Sequence, residues 1–188
     1  MNTLLVVDVQ NDFLPGGQLG INNADSIIEK INEITKLFDY CIFTKDWHPA
    51  NHSSFINIWP KHCIQYSSGA EFSKNLIVPK DAIIIYKGMD NVIDSYSAFF
   101  DNDKTSETPL NSILLSKKVD TIYICGLATD YCVKYSVMDA LSLGYKTYVI
   151  ADLTRAVNVC PNDYETAIEE MKNAGAIIVT SDDLKLNK

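Results

Sequence analysis

The sequence predicts an α/β protein with a mostly parallel central sheet and helices on both faces. Short runs of β-branched and apolar residues, such as Thr3–Val9 and Thr121–Cys125, alternate with segments of helical periodicity. Thr3–Val9 is nearly continuous in apolar residues, as expected of a central strand covered on both sides. From Thr121 onward strand and helix alternate regularly, the rhythm by which parallel strands are connected. With 188 residues and no internal repeat, low-complexity tract or linker, one domain spanning 1–188 is expected.

The elements follow in order. After Thr3–Val9 comes the turn-rich Gln10–Gly17, and then Ala24–Phe38, which repeats Ile27, Ile28, Ile31, Ile34 and Leu37 at the spacing of an amphipathic helix. Tyr40–Thr44 and Ala82–Tyr86 read as strands. Thr108-Pro109 opens a helix running to about Ser116, with proline where its missing N–H costs nothing. Thr121–Cys125 is a strand broken by Gly126. Thr129 or Asp130 then offers an N-cap for a helix from Tyr131 to Leu143, closed by Gly144. Lys146–Ala151, Pro161–Ala174 and Ala176–Thr180 continue the alternation as strand, helix and strand. Two long irregular segments, 46–68 and 88–107, follow strand ends and so fall on one edge of the sheet.

A net charge of -8 argues against nucleic acid and anionic membranes as partners. No apolar run approaches membrane-spanning length. The five cysteines are odd in number and form no C-x-x-C pair, the pattern of a reducing compartment. The chain enters a strand within three residues without a basic, cleavable leader, so a cytoplasmic protein is expected.

Candidate chemistry lies after the strands. Asp8 closes an apolar strand at the end where α/β sheets bind ligands, and serves there either as a loop cap or as a working carboxylate. Cys132, in the first turn of a helix after a strand, is either a small buried hydrophobe or a thiol whose pKa the helix terminus lowers. Lys87, ending AIIIYK, either reaches solvent or turns toward Asp8 and Cys132, where it would keep Asp8 ionised and favour thiolate. The three histidines, His48, His52 and His62, all lie in the first long loop with Asp46. Imidazole with carboxylate suits zinc, iron or manganese, and Asp46, His48 and His62 would leave coordination positions open. His52 is a fourth ligand or a supporting group, and Cys63 is a soft ligand or packing. Phe13 and Trp59 are loop aromatics suited to shielding the core or to stacking on a planar ring.

Together, VVDVQNDF, TKDWHPANHSSF, WPKHC, the lysine of YKGMD and CGLATDYCV resemble the nicotinamidase (pyrazinamidase) branch of the isochorismatase-like cysteine hydrolases over nearly the whole chain. The resemblance implies the three-layer fold of that family and a triad of Asp8, Lys87 and Cys132. It also implies one divalent metal ion per chain, zinc before iron or manganese, held by Asp46, His48 and His62 with His52 as a further contact. Phe13 and Trp59 match the ring-stacking pair, and Tyr96 a pocket aromatic. A cis peptide joining Leu127 to Ala128 is implied as well, with the amides of Ala128 and Cys132 forming the oxyanion hole. The implied activity is hydrolysis of nicotinamide to nicotinate and ammonia through a thioester on Cys132, a step of NAD salvage. An N-carbamoyl or ureido amidase of the same fold and a non-catalytic metal- or ligand-binding module are the alternatives. The segment GMDNVIDSYSAFFDND departs from the small residues common in the family. The expected partner is a small-molecule substrate, and the oligomeric state, homo-oligomer included, is left open.

Overall fold

The computed structural model describes residues 1–184; the end of the expected 1–188 domain, residues 185–188, lies outside the described residues. Six strands, β1 (Asn2–Val7), β2 (Tyr40–Asp46), β3 (Ile83–Lys87), β4 (Thr121–Leu127), β5 (Lys146–Arg155) and β6 (Ile177–Val179), form one sheet. Its order is β3-β2-β1-β4-β5-β6 and every neighbouring pair is parallel. The pleat sends Leu4 and Val6 of β1 to one face and Leu5 and Val7 to the other, all buried. Helix α1 (Ile28–Ile34) covers the first face with Ile28, Ile31 and Ile34. Helices α2 (Leu110–Ser116), α3 (Lys134–Ser142) and α4 (Asp163–Asn173) cover the second, through residues such as Leu114, Val137 and Met171. The expected three-layer arrangement is therefore present. Among the described residues no helix is long and apolar enough to cross a membrane.

The segment 24–38 and the strand β4 differ from expectation. Ala24–Phe38 is α-helical only in its middle, flanked by 3₁₀ turns at Ala24–Ile27 and Thr35–Leu37. The hydroxyls of Ser26 and Thr35 bond back to the carbonyls of Asn23 (2.7 Å) and Asn32 (3.0 Å), a local competition that tightens the ends. Gly126 does not break β4. It adopts φ +110°, the register with β5 shifts beside it, and pairing resumes at Gly126–Thr154 and Leu127–Arg155, which carries β5 past Ala151. Glycine is required here on two counts, because a side chain is strained at this φ and a Cβ would overlap the backbone of Val7 on β1.

Gly126→Ala is therefore expected to lower stability by about 3 kcal/mol, read as a lower midpoint in urea. An unchanged midpoint would mean that β1 and β4 separate without cost.

Candidate active site

The chain runs outward through β1, β2 and β3, then crosses back to β4 on the other side of β1. Beyond the carboxyl ends of β1 and β4, where strand order reverses, a crevice opens. Four adjacent strand ends deliver four of the expected residues to it: Lys87 closes β3, Asp46 closes β2, Asp8 follows β1, and Cys132 follows β4. All four are buried.

Lys87 is the meeting point. Its Nζ lies 3.0 Å from Asp8 Oδ2 and 3.4 Å from Cys132 Sγ, donates to the Ser95 carbonyl at 2.8 Å, and pairs with Asp46 Oδ1. Ligand atoms of Asp8, Asp46 and Cys132 all fall within 4.8 Å of one another. Asp8 leaves the strand with φ +49°, and its amide donates to Thr44 Oγ1 at 3.1 Å while its Oδ1 accepts from the same hydroxyl. Asp8 Oδ2 is met by the Lys87 ammonium at 3.0 Å, and an anionic oxygen so paired still has a second lone pair to offer the thiol.

The electrostatics correct one expectation. Burial opposes the Lys87 charge, but Asp46 and Asp8 outweigh it and hold the ammonium pKa well above its ordinary value. Burial likewise pushes up both Asp8 and, strongly, the Cys132 thiol; Lys87 pulls each down without offsetting it. The resting site thus favours a neutral thiol over the thiolate that a helix terminus and a lysine suggest. The terminus itself is unusual. A π-helical turn, Thr129–Val133, precedes α3, and neither Thr129 nor Asp130 caps it. Thr129 pairs with the Thr154 hydroxyl at 2.8 Å, and Asp130 accepts from the amides of Val157 and Asn158, each at 3.0 Å.

Beside this group stands the second one. Nε2 of His48 and of His62 lie 3.5 and 3.8 Å from Asp46 Oδ2, and the three ligand atoms fall within 4.8 Å of one another. His48 arrives directly after β2. His62 is brought back by a short parallel bridge, with the His48 amide donating to Cys63 O at 3.0 Å and the Gln65 amide to His48 O at 2.9 Å. Each ring is turned by its other nitrogen: His48 Nδ1 bonds Gly88 O at 2.9 Å and His62 Nδ1 bonds Pro60 O at 2.8 Å. A carbonyl fixes the proton on Nδ1 and leaves Nε2 as a lone-pair donor facing the carboxylate, so the residues fit a divalent ion. Asp46 is held below the usual carboxylate range, with the Lys87 ammonium the largest pull against its burial.

His52 falls outside this trio. Its Nδ1 accepts from the Ser54 amide at 3.3 Å and meets Ser54 Oγ at 2.7 Å, and its ring centroid is 4.5 Å from that of His48. Cys63 is wholly buried among apolar residues, with its thiol pushed well above the ordinary value by burial.

Phe13, Trp59 and Tyr96 line the pocket over Cys132, together with Ala128 and His62. Trp59 Nε1 donates to Tyr96 Oη at 3.1 Å, tying the two long loops together, and both rings meet Tyr131 edge-on. The Leu127–Ala128 peptide is cis. Four residues of this neighbourhood were not singled out from sequence. Leu19, Val157 and Tyr131 complete the pocket wall, and Asp94 places a carboxylate within 4.8 Å of His48 and His52 ligand atoms. Only Tyr131, next to Cys132 in the motif, carried a signal; the others lie in loops whose spacing says nothing about where they point.

The model of the isochorismatase domain matches residues 2–183. The chain is 42% identical to a nicotinamidase of Escherichia coli (strain K12), over 94% of this chain and 93% of that one. Among solved structures it is similar to a nicotinamidase/pyrazinamidase of Acinetobacter baumanii, with TM-score 0.93, 40% identity and 97% of each chain covered. It is also similar to a pyrazinamidase of Pyrococcus horikoshii in complex with zinc, with TM-score 0.86, 40% identity, and 95% and 98% of the two chains covered. A buried carboxylate–lysine–cysteine group beside a two-histidine, one-carboxylate set, on a sheet matched along almost its whole length, leaves one assignment: the chain belongs to the isochorismatase domain family.

Proposed function

We propose that this protein is a cysteine amidohydrolase that converts nicotinamide to nicotinate and ammonia, with residues 1–188 acting as one domain. The observation that carries this reading is the convergence of Asp8, Lys87 and Cys132 on one buried point, under a pocket walled by aromatic rings and bordered by Asp46, His48 and His62. The nicotinamidase relatives support the choice of amide.

The chemistry follows from the positions. Asp8 accepts the Cys132 proton as sulfur attacks the amide carbon, with Lys87 beside both groups. The amides of Ala128 and Cys132 receive the developing oxyanion, worth about 3 kcal/mol for each donor. Asp8 returns the proton to the leaving ammonia, and water then hydrolyses the thioester to nicotinate. Lys87 keeps Asp8 and Cys132 at fixed separation throughout. Phe13 and Trp59 hold the pyridine ring between them, with Tyr96 fixing Trp59. A divalent ion, zinc by the likeness to the zinc-bound pyrazinamidase, would be held by Asp46, His48 and His62 and would supply an electrophilic anchor for the pyridine nitrogen. His52 packs its ring on that of His48 and offers a further contact to the ion, as a fourth ligand or as a support. The reaction would serve NAD salvage in the cytoplasm.

Cys132→Ala is expected to abolish ammonia release while leaving the circular dichroism spectrum and zinc content unchanged, and Cys132→Ser to be nearly as inactive. Appreciable turnover by Cys132→Ala would remove the thioester.

Elemental analysis should find most of the zinc gone from His48→Ala and from His62→Ala, whereas His52→Ala should weaken binding by no more than about tenfold. Full occupancy in the His48→Ala, His62→Ala double variant would sink the proposed ligand set.

Benzamide keeps the scissile group and the ring but lacks the ring nitrogen. Its kcat/KM should fall about 100-fold or more below that of nicotinamide in the zinc-loaded enzyme, with little further loss on chelation. Equal rates on the two amides would mean that nothing reads the pyridine nitrogen, and would favour the ureido amidase.

A further inference from the structure

The turn that follows Asp8 carries a residue for which the chemistry above has no use. Gln10 is wholly buried, and its carboxamide makes three hydrogen bonds of ordinary length, all to backbone. Nε2 donates to the carbonyls of Asp46 (2.8 Å) and Ala70 (2.9 Å), and Oε1 accepts from the Asp46 amide (2.8 Å). Both backbone groups of a proposed metal ligand are therefore held by one side chain.

The sheet explains why a side chain is needed. Pairing of β1 with β2 ends at Val6–Phe43, because Asp8 turns into the left-handed region. β2 continues three residues further, paired only with β3 on its other side, as far as Asp46–Lys87. Asp46 thus presents an N–H and a C=O toward a position that β1 has left. Unpaired and buried, each would carry the full desolvation penalty of a polar group without a partner. A glutamine side chain has the same donor and acceptor pair as a peptide group, and Gln10 supplies it where the strand cannot. The backbone of Gln10 is itself tied to the base, since its amide donates to Asp8 O at 2.8 Å.

Two residues on, Asp12 does the same for the other ligand-bearing segment. Its buried carboxylate accepts from the Cys63 amide at 2.7 Å, immediately after His62, at a residue with φ +46°. Resting on the reading of Asp46, His48 and His62 as a metal site, we infer that Gln10 and Asp12 are its positioning residues, with Gln10 acting as a surrogate strand that fixes Asp46 relative to Asp8.

The test compares wild type with Gln10→Met, which keeps length and volume but removes all three bonds, and with Gln10→Glu, which keeps the acceptor for the Asp46 amide. Asn11→Ala, which loses only an exposed bond to Ser68 O, is the control. Zinc affinity is measured by competition with a chromogenic chelator, and the ligand field by the visible spectrum of the cobalt(II)-substituted protein. Thermal midpoints of the chelated proteins are recorded alongside. Zinc affinity should fall about 10–100-fold in Gln10→Met, by less in Gln10→Glu, and not at all in Asn11→Ala, with altered cobalt bands in both Gln10 variants. A stabilising role alone would lower the midpoint and leave the affinity of the folded protein and its cobalt spectrum as in wild type; that result overturns the proposal. Gln10→Glu keeps the comparison alive should Gln10→Met not fold. Wild-type zinc affinity in the His48→Ala, His62→Ala double variant would instead remove the metal site, and the proposal with it.

Discussion

The site depends on one buried ammonium. Lys87 has no exposed side-chain surface, and placing a charge there costs several kcal/mol unless partners surround it. It has two carboxylates, a carbonyl and a sulfur around it, contributed by the ends of β1 and β2, the loop after β3, and the turn after β4. The dependence runs both ways. Asp8 and Asp46 are buried carboxylates that would repel each other and shed their charge without Lys87 between them. The cation therefore sets the distance between the group around Cys132 and the group around His48, and joins them into one centre.

That arrangement needs a parallel sheet with β1 in the middle. Each strand ends on the same edge, and successive ends are about 5 Å apart, so four neighbouring strands bring four side chains to one place. The close approach at Gly126 and the left-handed turn at Asp8 lie on either side of the reversal in strand order. There β1 stops pairing with β2, and backbone that would have been satisfied by a strand is taken by Thr44 and Gln10 instead. The crevice is the space which that early departure opens.

Two long loops turn the crevice into a pocket. The first returns His62 to His48 through the bridge at Ile64, and the second brings Asp94, Ser95 and Tyr96 over Lys87 and Trp59. Trp59 and Tyr96, one from each loop, close on each other by a hydrogen bond between indole and phenol. The aromatic wall and the lysine node are thus linked by adjacent residues, because the Ser95 carbonyl that accepts from Lys87 precedes Tyr96 directly.

Much of this was legible in the chain. Periodicity and the alternation of strand with helix determined the α/β class, because a strand buried on both faces must be apolar throughout and a covering helix must repeat at three and four residues. Parallel strands share one ligand-binding edge, so residues at strand ends, Asp8, Lys87 and Cys132, could be singled out before any contact was known. The clustering of histidines after Asp46 was likewise a matter of sequence. What pattern could not decide was set by contacts between distant segments. Gly126 reads as a strand breaker, yet it is the residue that lets β4 continue against β1. Thr129 and Asp130 read as caps, yet they bond to Thr154 and to the loop at Val157. Cys132 reads either as a buried hydrophobe or as an activated thiol, and burial pushes its pKa up against the pull of Lys87. Asp94 and the clamp made by Gln10 carry no periodicity at all. In each case the deciding quantity was a close backbone approach, desolvation or the partner of a single polar group, which exists only once the chain has folded.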